Sequence, residues 1–383
     1  MNEDYKGCLD YIEKYWKKIT VHLPKDQGLF IGLPNKFVSP SAKWYRKFQF
    51  YWDSYFIILG LVVSGKVTMA KGVVDNFFYC YKKFEIMPHA NKLYHLTDSQ
   101  PPFFTSMIKE IFNITKDEGW LKENVKIAEA ELEDYWCGEA HNSRNKLSRY
   151  HHPFDMHLLA ETESGWDLTS RFNEACSDYL PVDLNSCLYK YEIDIAEIYG
   201  YLNNKSKEKI FLEKAESRKR RMLKYMWNDK KGFFFDYNYK LKKQSNFYSL
   251  AGFYPLWAGF VSDNQAEKIR ENLKMFECRG GLANTQKNNL SKEFKQWDYP
   301  NGWPNQQWMV IKGLLNYGYN KDAKRLAIKW LNLNKKVFDK TGKFWEKYHV
   351  VKLDVGKSGR YPTVEGFGWT NAIFVKLVKE FCE

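Results

Sequence analysis

Apolar positions recur at steps of three and four over segment after segment of the chain. In "VDLNSCLYKYEIDIAEIYGYL", Leu184, Leu188, Tyr191, Ile195, Ile198 and Leu202 fall on one helical face, with Asp183 or Asn185 placed to cap its start. By contrast "SYFIILGLVVSG", just after Asp53, is apolar nearly all round, as a helix enclosed by other helices must be. Both kinds recur from residues 4–18 and 53–66 through to 303–318 and 367–381, with no convincing run of alternating strand positions. The pattern predicts an all-α fold.

A second regularity lies at the helix starts. Clusters of polar and aromatic residues stand before an apolar helical stretch at Trp52-Asp53, Ser99-Gln100-Pro101, Pro181-Val182-Asp183, Asn246-Phe247-Tyr248, Pro300-Asn301-Gly302 and Trp369-Thr370-Asn371. Pro, Asn, Asp, Ser and Thr are the residues a helix N-terminus prefers. Each interval leaves room for one helix out and one back. A ring of six inner helices backed by six outer ones would gather all six starts at one mouth. No Pro/Ser-rich linker or low-complexity tract breaks the chain, so residues 1–383 read as one domain, with 1–30 an N-terminal helix and lead-in. The recurring Trp-Asp pairs suggest propeller blades, but their spacing far exceeds the roughly 40 to 45 residues of a blade.

Composition narrows the function. Of 383 residues 17% are aromatic, with 14 Trp, 26 Tyr and 27 Phe, a density that suits a large core and also a pocket that stacks flat rings. The first residues are charged, and nothing resembles a signal peptide or a membrane span, so a soluble, cytoplasmic, membrane-free protein is expected. Seven scattered Cys without a CxxC pair read as reduced thiols. The cluster His151, His152 and His157 reads as a polar loop rather than a zinc site, so no metal is expected. A net charge of +13 invites a nucleic-acid reading, but acids are interleaved throughout and the densest basic run, "ESRKRRMLKYMW", has the spacing of one solvated helix face. No nucleic-acid partner is expected, and no apolar stripe announces an oligomer; a monomer is the expectation.

The Trp-Asp pairs carry the chemistry. In "ESGWDLTSRF" Asp167 follows Trp166, and in "QWDYPNGWPNQQW" Asp298 follows Trp297; Asp53 follows Trp52 in "FQFYWDSYF". A carboxyl beside an indole in a dry pocket has its charged form penalised, which is what a general acid needs. Tryptophan faces beside Asp and Asn acceptors also make a sugar site. Capping and core filling are the plain alternatives, strongest for Asp53 and Asp183. Glycoside hydrolysis needs two carboxyls, one to protonate the leaving oxygen and one to activate water or attack carbon. For the second, Glu346 in "TGKFWEKYHV" and Glu365 in "YPTVEGFGWTN" both qualify on their surroundings.

These blocks resemble the trehalases, glycoside hydrolase family 37. "YWDSYFIILGL" resembles the family's first signature and "QWDYPNGWPNQQW" its second; "SQPPFF", "ESGWDLTSRF", "PVDLNS", "EKYHV" and "YPTVEGFGWTN" follow in family order, over about residues 30 to 380. The resemblance implies an (α/α)6 toroid and an inverting hydrolysis without cofactor. Asp167 would be the general acid and Glu346 the general base, with carboxyls roughly 6.5 to 9.5 Å apart. It further implies that Trp52, Asp53, Asn91, Gln100, Trp297, Asp298, Asn301 and Trp303 contact the sugar or shape its pocket; Trp166, Arg360 and Glu365 complete the candidate set.

The departures bear on the substrate. The family's glycine-rich stretch before the first signature is here "SPSAKWYRKF"; its arginine before "SQPP" is Asp98, two more arginines fall on Met156 and Leu159, and the Glu before the last "YP" is Arg360. Arginines of that family grip the leaving glucose. The expectation is therefore a trehalase-like hydrolase of trehalose or a related small α-glycoside. Its alternatives are a compatible-solute hydrolase acting on mannosylglycerate or glucosylglycerate, with Lys43, Tyr45, Arg46 and Arg360 supplying a subsite for the negative group, or a non-catalytic sugar-binding relative.

Overall fold

The computed structural model describes residues 5–288, 293–359 and 361–383. Thirteen α-helices run in chain order among them: α1 (Lys6–Ile19), α2 (Tyr51–Val63), α3 (Val67–Phe84), α4 (Phe104–Thr115), α5 (Glu118–Ala130), α6 (His157–Glu163), α7 (Val182–Tyr201), α8 (Lys205–Tyr225), α9 (Tyr254–Ala258), α10 (Asp263–Glu271), α11 (Pro304–Asn316), α12 (Asn320–Thr341) and α13 (Gly368–Phe381). Six of them pack in a closed circuit, α2 on α4, α4 on α7, α7 on α9, α9 on α11, α11 on α13 and α13 back on α2. Outside it α3, α5, α8 and α12 each pack on the inner helix just before them, and α1 packs on α13. This is the (α/α)6 toroid.

Burial follows the sequence pattern. In α2 every residue from Tyr51 to Leu61 is buried, and α11 and α13 are nearly as enclosed. The outer helices bury one stripe: Phe211, Ala215, Arg218 and Met222 along α8, and Cys8, Ile12, Tyr15, Trp16 and Ile19 along α1. Where the ring closes, α2 and α13 approach so nearly that a Cβ on Gly60 would stand 2.4 Å from the Ala372 Cα. Only glycine permits that contact.

Two local expectations differ from the structure. Pro181 precedes α7 and no side chain caps it; Asp183 instead takes both Nη atoms of Arg171, because a buried guanidinium needs carboxylates more than a helix start needs a cap. Asn185 bonds the carbonyls of Pro181 and Ser148. Short strands are also present. Asn301–Gly302, Tyr348–His349 and Asp354–Val355 form a three-stranded antiparallel sheet with Gly302 opposite Tyr348, too brief to leave an alternating signature. It nonetheless brings the "QWDYPNGW" and "EKYHV" segments together at the mouth of the ring. No helix among the described residues is long and apolar enough to cross a membrane.

Candidate active site

Four of the six predicted helix starts deliver side chains to one cavity of about 200 Å³ at an end of the ring: Trp52 and Asp53 from α2, Gln100 before α4, Trp303 before α11 and Trp369 on α13. Asp167 and Glu346 both line it. The two acids predicted for hydrolysis therefore share one space.

The segment carrying Asp167 is held by buried polar bonds. It leaves α6 through Gly165, whose φ of +73° and closeness to the Trp52 indole, 2.5 Å from an added Cβ, exclude other residues. Glu161 accepts the backbone N–H of Leu168 at 2.8 Å, and Leu168 itself is left-handed at φ +64°. Asp298 accepts from the Thr169 hydroxyl at 2.9 Å and from the Ser170 N–H at 3.1 Å. Arg171, fully buried, pairs with Asp183 at 2.6 and 2.7 Å and with Asp236 at 2.7 Å, and its guanidinium lies 4.9 Å from the Trp166 ring. Asp167 is thus aimed by its neighbours rather than by its own rotamer alone.

Gln296 donates its amide to Asp167 Oδ2 at 2.9 Å, leaving the other oxygen for a proton. Burial, then the charge of Glu346, raise the Asp167 carboxyl above the ordinary aspartate value. Asp53 is pushed well above its ordinary value by the same two causes. In the same cavity Glu346 is compensated: Lys347, itself buried, donates to Oε2 at 2.6 Å and Tyr361 donates to Oε1 at 3.1 Å. The Lys347 ammonium rests 4.7 Å from the Trp303 ring and 5.0 Å from Tyr361. One carboxyl that holds its proton more tightly than an ordinary aspartate therefore shares the cavity with another that is paired to an ammonium.

Tryptophans form an aromatic wall of the same cavity. Trp297 and Trp303 stack at 3.8 Å and 5°, while Trp369 meets Trp52 at 5.9 Å and Trp303 at 5.8 Å, both edge-on. Flat apolar faces beside carboxyls and an amide suit a pyranose.

Five predicted pocket residues are placed elsewhere by the structure, as supports. Asn91 spends its amide on the Gln49 N–H and the Ile31 and Lys47 carbonyls. Asn301 bonds the carbonyls of Gln296 and Lys357 and the Lys357 N–H. Asp298 staples the Asp167 segment, and Trp166 is wholly buried between Arg171 and Trp297. Glu365 is ion-paired to Lys43 and Lys343, which takes Lys43 up as well. Asn91, Asn301 and Asp298 spend their polar atoms on the segments that shape the pocket, whereas Glu365 spends its carboxylate on lysines and Trp166 serves by packing. Arg360 lies outside the described residues. Trp52, Asp53, Gln100, Trp297 and Trp303 do line the cavity, as do Tyr45, Tyr361, His89 and His95, the last three not singled out from sequence. Tyr361 stands in the "YP" of the last motif; the histidines had no motif to flag them.

His89, His95 and Asp98 form the one group among the described residues whose ligand atoms lie close enough together for a metal ion. His157 of the sequence cluster accepts instead from the Ser177 N–H.

Comparison with known proteins identifies the family. The sequence profile of the family described as Trehalase matches residues 2–163 and 152–382. A cytosolic neutral trehalase of Emericella nidulans is 31% identical over 90% of this chain, which spans 57% of that relative's length. Neutral trehalase Nth1 from Saccharomyces cerevisiae superposes with a TM-score of 0.83 at 30% identity, covering 90% of this chain and 73% of that one. The GH63 mannosylglycerate hydrolase from Thermus thermophilus shares the fold, with a TM-score of 0.72 at 17% identity over 96% of this chain and 99% of the other. With both signature blocks converging on one tryptophan-walled cavity and the family profile spanning nearly the whole sequence, the chain belongs to the trehalase family.

Proposed function

We propose that this protein hydrolyses trehalose, a 1,1-linked pair of α-glucose units, with inversion at the attacked anomeric carbon. The observation that carries the reading is the sharing of one aromatic cavity by Asp167, whose carboxyl favours its proton, and Glu346, whose charge is balanced by Lys347. One glucose ring packs in the inner part of the cavity against the tryptophan wall. Asp167 gives its proton to the bridging oxygen as the bond to the anomeric carbon breaks, and positive charge spreads over the ring. Glu346 takes a proton from a water molecule, whose oxygen attacks that carbon from the opposite face. Gln296 holds Asp167 Oδ2, so the free oxygen bears the transferred proton. The chemistry calls for two protonation states and a positioned water, and neither metal nor organic cofactor has a part in these steps.

Among the described residues, those lining the cavity include three acids and no Lys or Arg. A carboxylate-bearing leaving group, as in mannosylglycerate or glucosylglycerate, would find no Lys or Arg among those lining residues, and Lys43 is already paired with Glu365. The retained pair of acids likewise weighs against a merely binding role. The resemblance to enzymes named cytosolic neutral trehalases supports action in the cytoplasm on a small soluble sugar, by a single toroidal catalytic unit. The test is a panel of trehalose, other glucobioses, mannosylglycerate and glucosylglycerate, followed by release of free sugar. Cleavage of trehalose in preference to the two glycerate glycosides is expected; preferential cleavage of the anionic compounds, or of none, would contradict the reading.

A further inference from the structure

A second cavity, of about 750 Å³, lies between the end of α8 and the sheet formed by Tyr179–Leu180, Tyr237–Asn238 and Lys243–Gln244. It shares no lining residue with the catalytic cavity, and its size is that of a small-molecule site. Three tyrosines and three cations line it, and no acid among the described residues does. The strand accounts for two of the tyrosines. From Asp236 to Tyr239 the side chains alternate between faces, so Tyr237 and Tyr239 stand half-buried at the cavity while Asp236 and Asn238 are buried on the other side. Tyr225, the last residue of α8, meets Tyr237 at 5.1 Å and 45°, and its carbonyl accepts from the Gln244 amide at 3.1 Å. The flat rings are therefore held by two elements that are bonded to each other.

Charge decides what those rings receive. Lys240 is tied to Asp178 at 3.1 Å, but Arg144 and Lys242, both exposed, have no acidic partner among the described residues. Arg149 donates to the Tyr239 hydroxyl oxygen at 3.0 Å and to the Ser177 carbonyl at 3.1 Å. The hydroxyl thus keeps its own hydrogen for an acceptor in the cavity. A neutral sugar would leave the cations unmatched, and a bare phosphate would leave the tyrosine faces unused. We propose that this cavity binds a small phosphate ester of a ring compound, a phosphosugar or a mononucleotide. Its phosphate is met by Arg144, Lys242 and the Tyr239 hydroxyl, and its ring packs on Tyr225 and Tyr237. On its far face the same strand carries Asp236, which holds Arg171 at 2.7 Å and accepts the Val182 N–H at 2.8 Å. The bound ester would therefore back onto the strand that fastens the Asp167 segment.

Isothermal titration calorimetry with glucose 6-phosphate, adenosine 5′-monophosphate, glucose and inorganic phosphate tests the site, since these probes carry the ring, the phosphate or both. At least one ester is expected to bind one-to-one, and at least about tenfold more tightly than glucose or inorganic phosphate, because only an ester uses both the cations and the rings. Which ester binds more tightly tells whether the ring is a sugar or a base. Replacing both Arg144→Ala and Lys242→Ala is expected to weaken that binding by at least about tenfold, the scale of losing charge-assisted hydrogen bonds. Both side chains are exposed and lack acidic partners, so the melting temperature without ligand is expected to stay that of the wild type. Tyr239→Phe keeps the ring and removes one donor, and a smaller loss in the same direction is expected. Three results would each overturn the assignment: no binding of either ester at millimolar concentration, inorganic phosphate binding as tightly as the esters, or ester affinity undiminished in both variants. None of these measurements reads turnover, so they decide the site independently of the hydrolase reading.

Discussion

The chemistry of the site reduces to the environments of two carboxyls. Asp167 is half-buried, bonded by Gln296, and holds its proton more tightly than an ordinary aspartate; Glu346 is held by Lys347 and Tyr361. Asp167→Asn and Glu346→Gln are each expected to lower turnover on trehalose by at least about 100-fold, the contribution of a positioned proton donor or acceptor. Steady-state kinetics showing near-normal turnover in either variant would remove that residue from its role. Stability supplies a second handle on the same residue. Because folding raises the Asp167 value, the folded chain binds that proton more tightly than the unfolded one, and stability from this group is lost as pH rises from the ordinary aspartate value of about 3.9 towards the folded value. Asp167→Asn should therefore melt at a higher temperature than the wild type at neutral pH, with a gain that shrinks as the pH approaches 4. A gain that does not depend on pH would show that the carboxyl is not strained by its surroundings.

At the scale of elements, catalysis depends on how one short segment is fastened to the ring. The turn from Gly165 to Arg171 is tied to α6 by Glu161, to the "QWDYPNGW" loop by Asp298, and to α7 by the Arg171–Asp183 pair. Replacing Arg171 with Met would leave Asp183 and Asp236 buried and facing each other; a loss of about 3 to 5 kcal/mol is expected in urea unfolding, the scale of a buried pair broken on one side. A loss under about 1 kcal/mol would mean that the network is dispensable. This is also where sequence reading stops. The six helix starts were legible because prolines, cap-type residues and apolar periodicity are local, and they appear as α2, α4, α7, α9, α11 and α13, although no side chain caps any of the six. Which polar atom in a motif faces the cavity is not local. Asp298 and Asn301 stand in the same signature as Trp297 and Trp303, yet the first two bind backbone and the last two form the wall. Their orientation comes from the sheet that joins Gly302 to Tyr348, whose two-residue strands carry no periodic signal. His89 and His95 were silent for a related reason, since only the folded segment stacks them.

At the scale of the molecule, the ring must close for the cavity to exist, and buried polar groups as well as apolar packing hold it closed. Glu131 accepts hydrogen bonds from Tyr51 of α2 at 2.9 Å, from Tyr191 of α7 at 2.5 Å and from Trp136 at 3.2 Å. Burial raises its carboxyl to about 7, although the tyrosine hydroxyls and the indole pull the other way. The folded state again holds the proton more tightly, so stability present at acid pH declines as pH rises through about 7. Glu131→Gln removes that titration, and the fall in melting temperature between about pH 5 and pH 8 should become shallower; an unchanged slope would place the titration elsewhere. All of these parts bear on the proposed geometry, in which two acids act from opposite sides of a single glucosidic carbon. The most direct test follows the anomeric protons by NMR in the first moments of trehalose cleavage. Attack by a Glu346-activated water inverts one ring and leaves the other as it was, so α- and β-glucose should appear in equal amounts before mutarotation. Initial release of α-glucose alone would contradict the account.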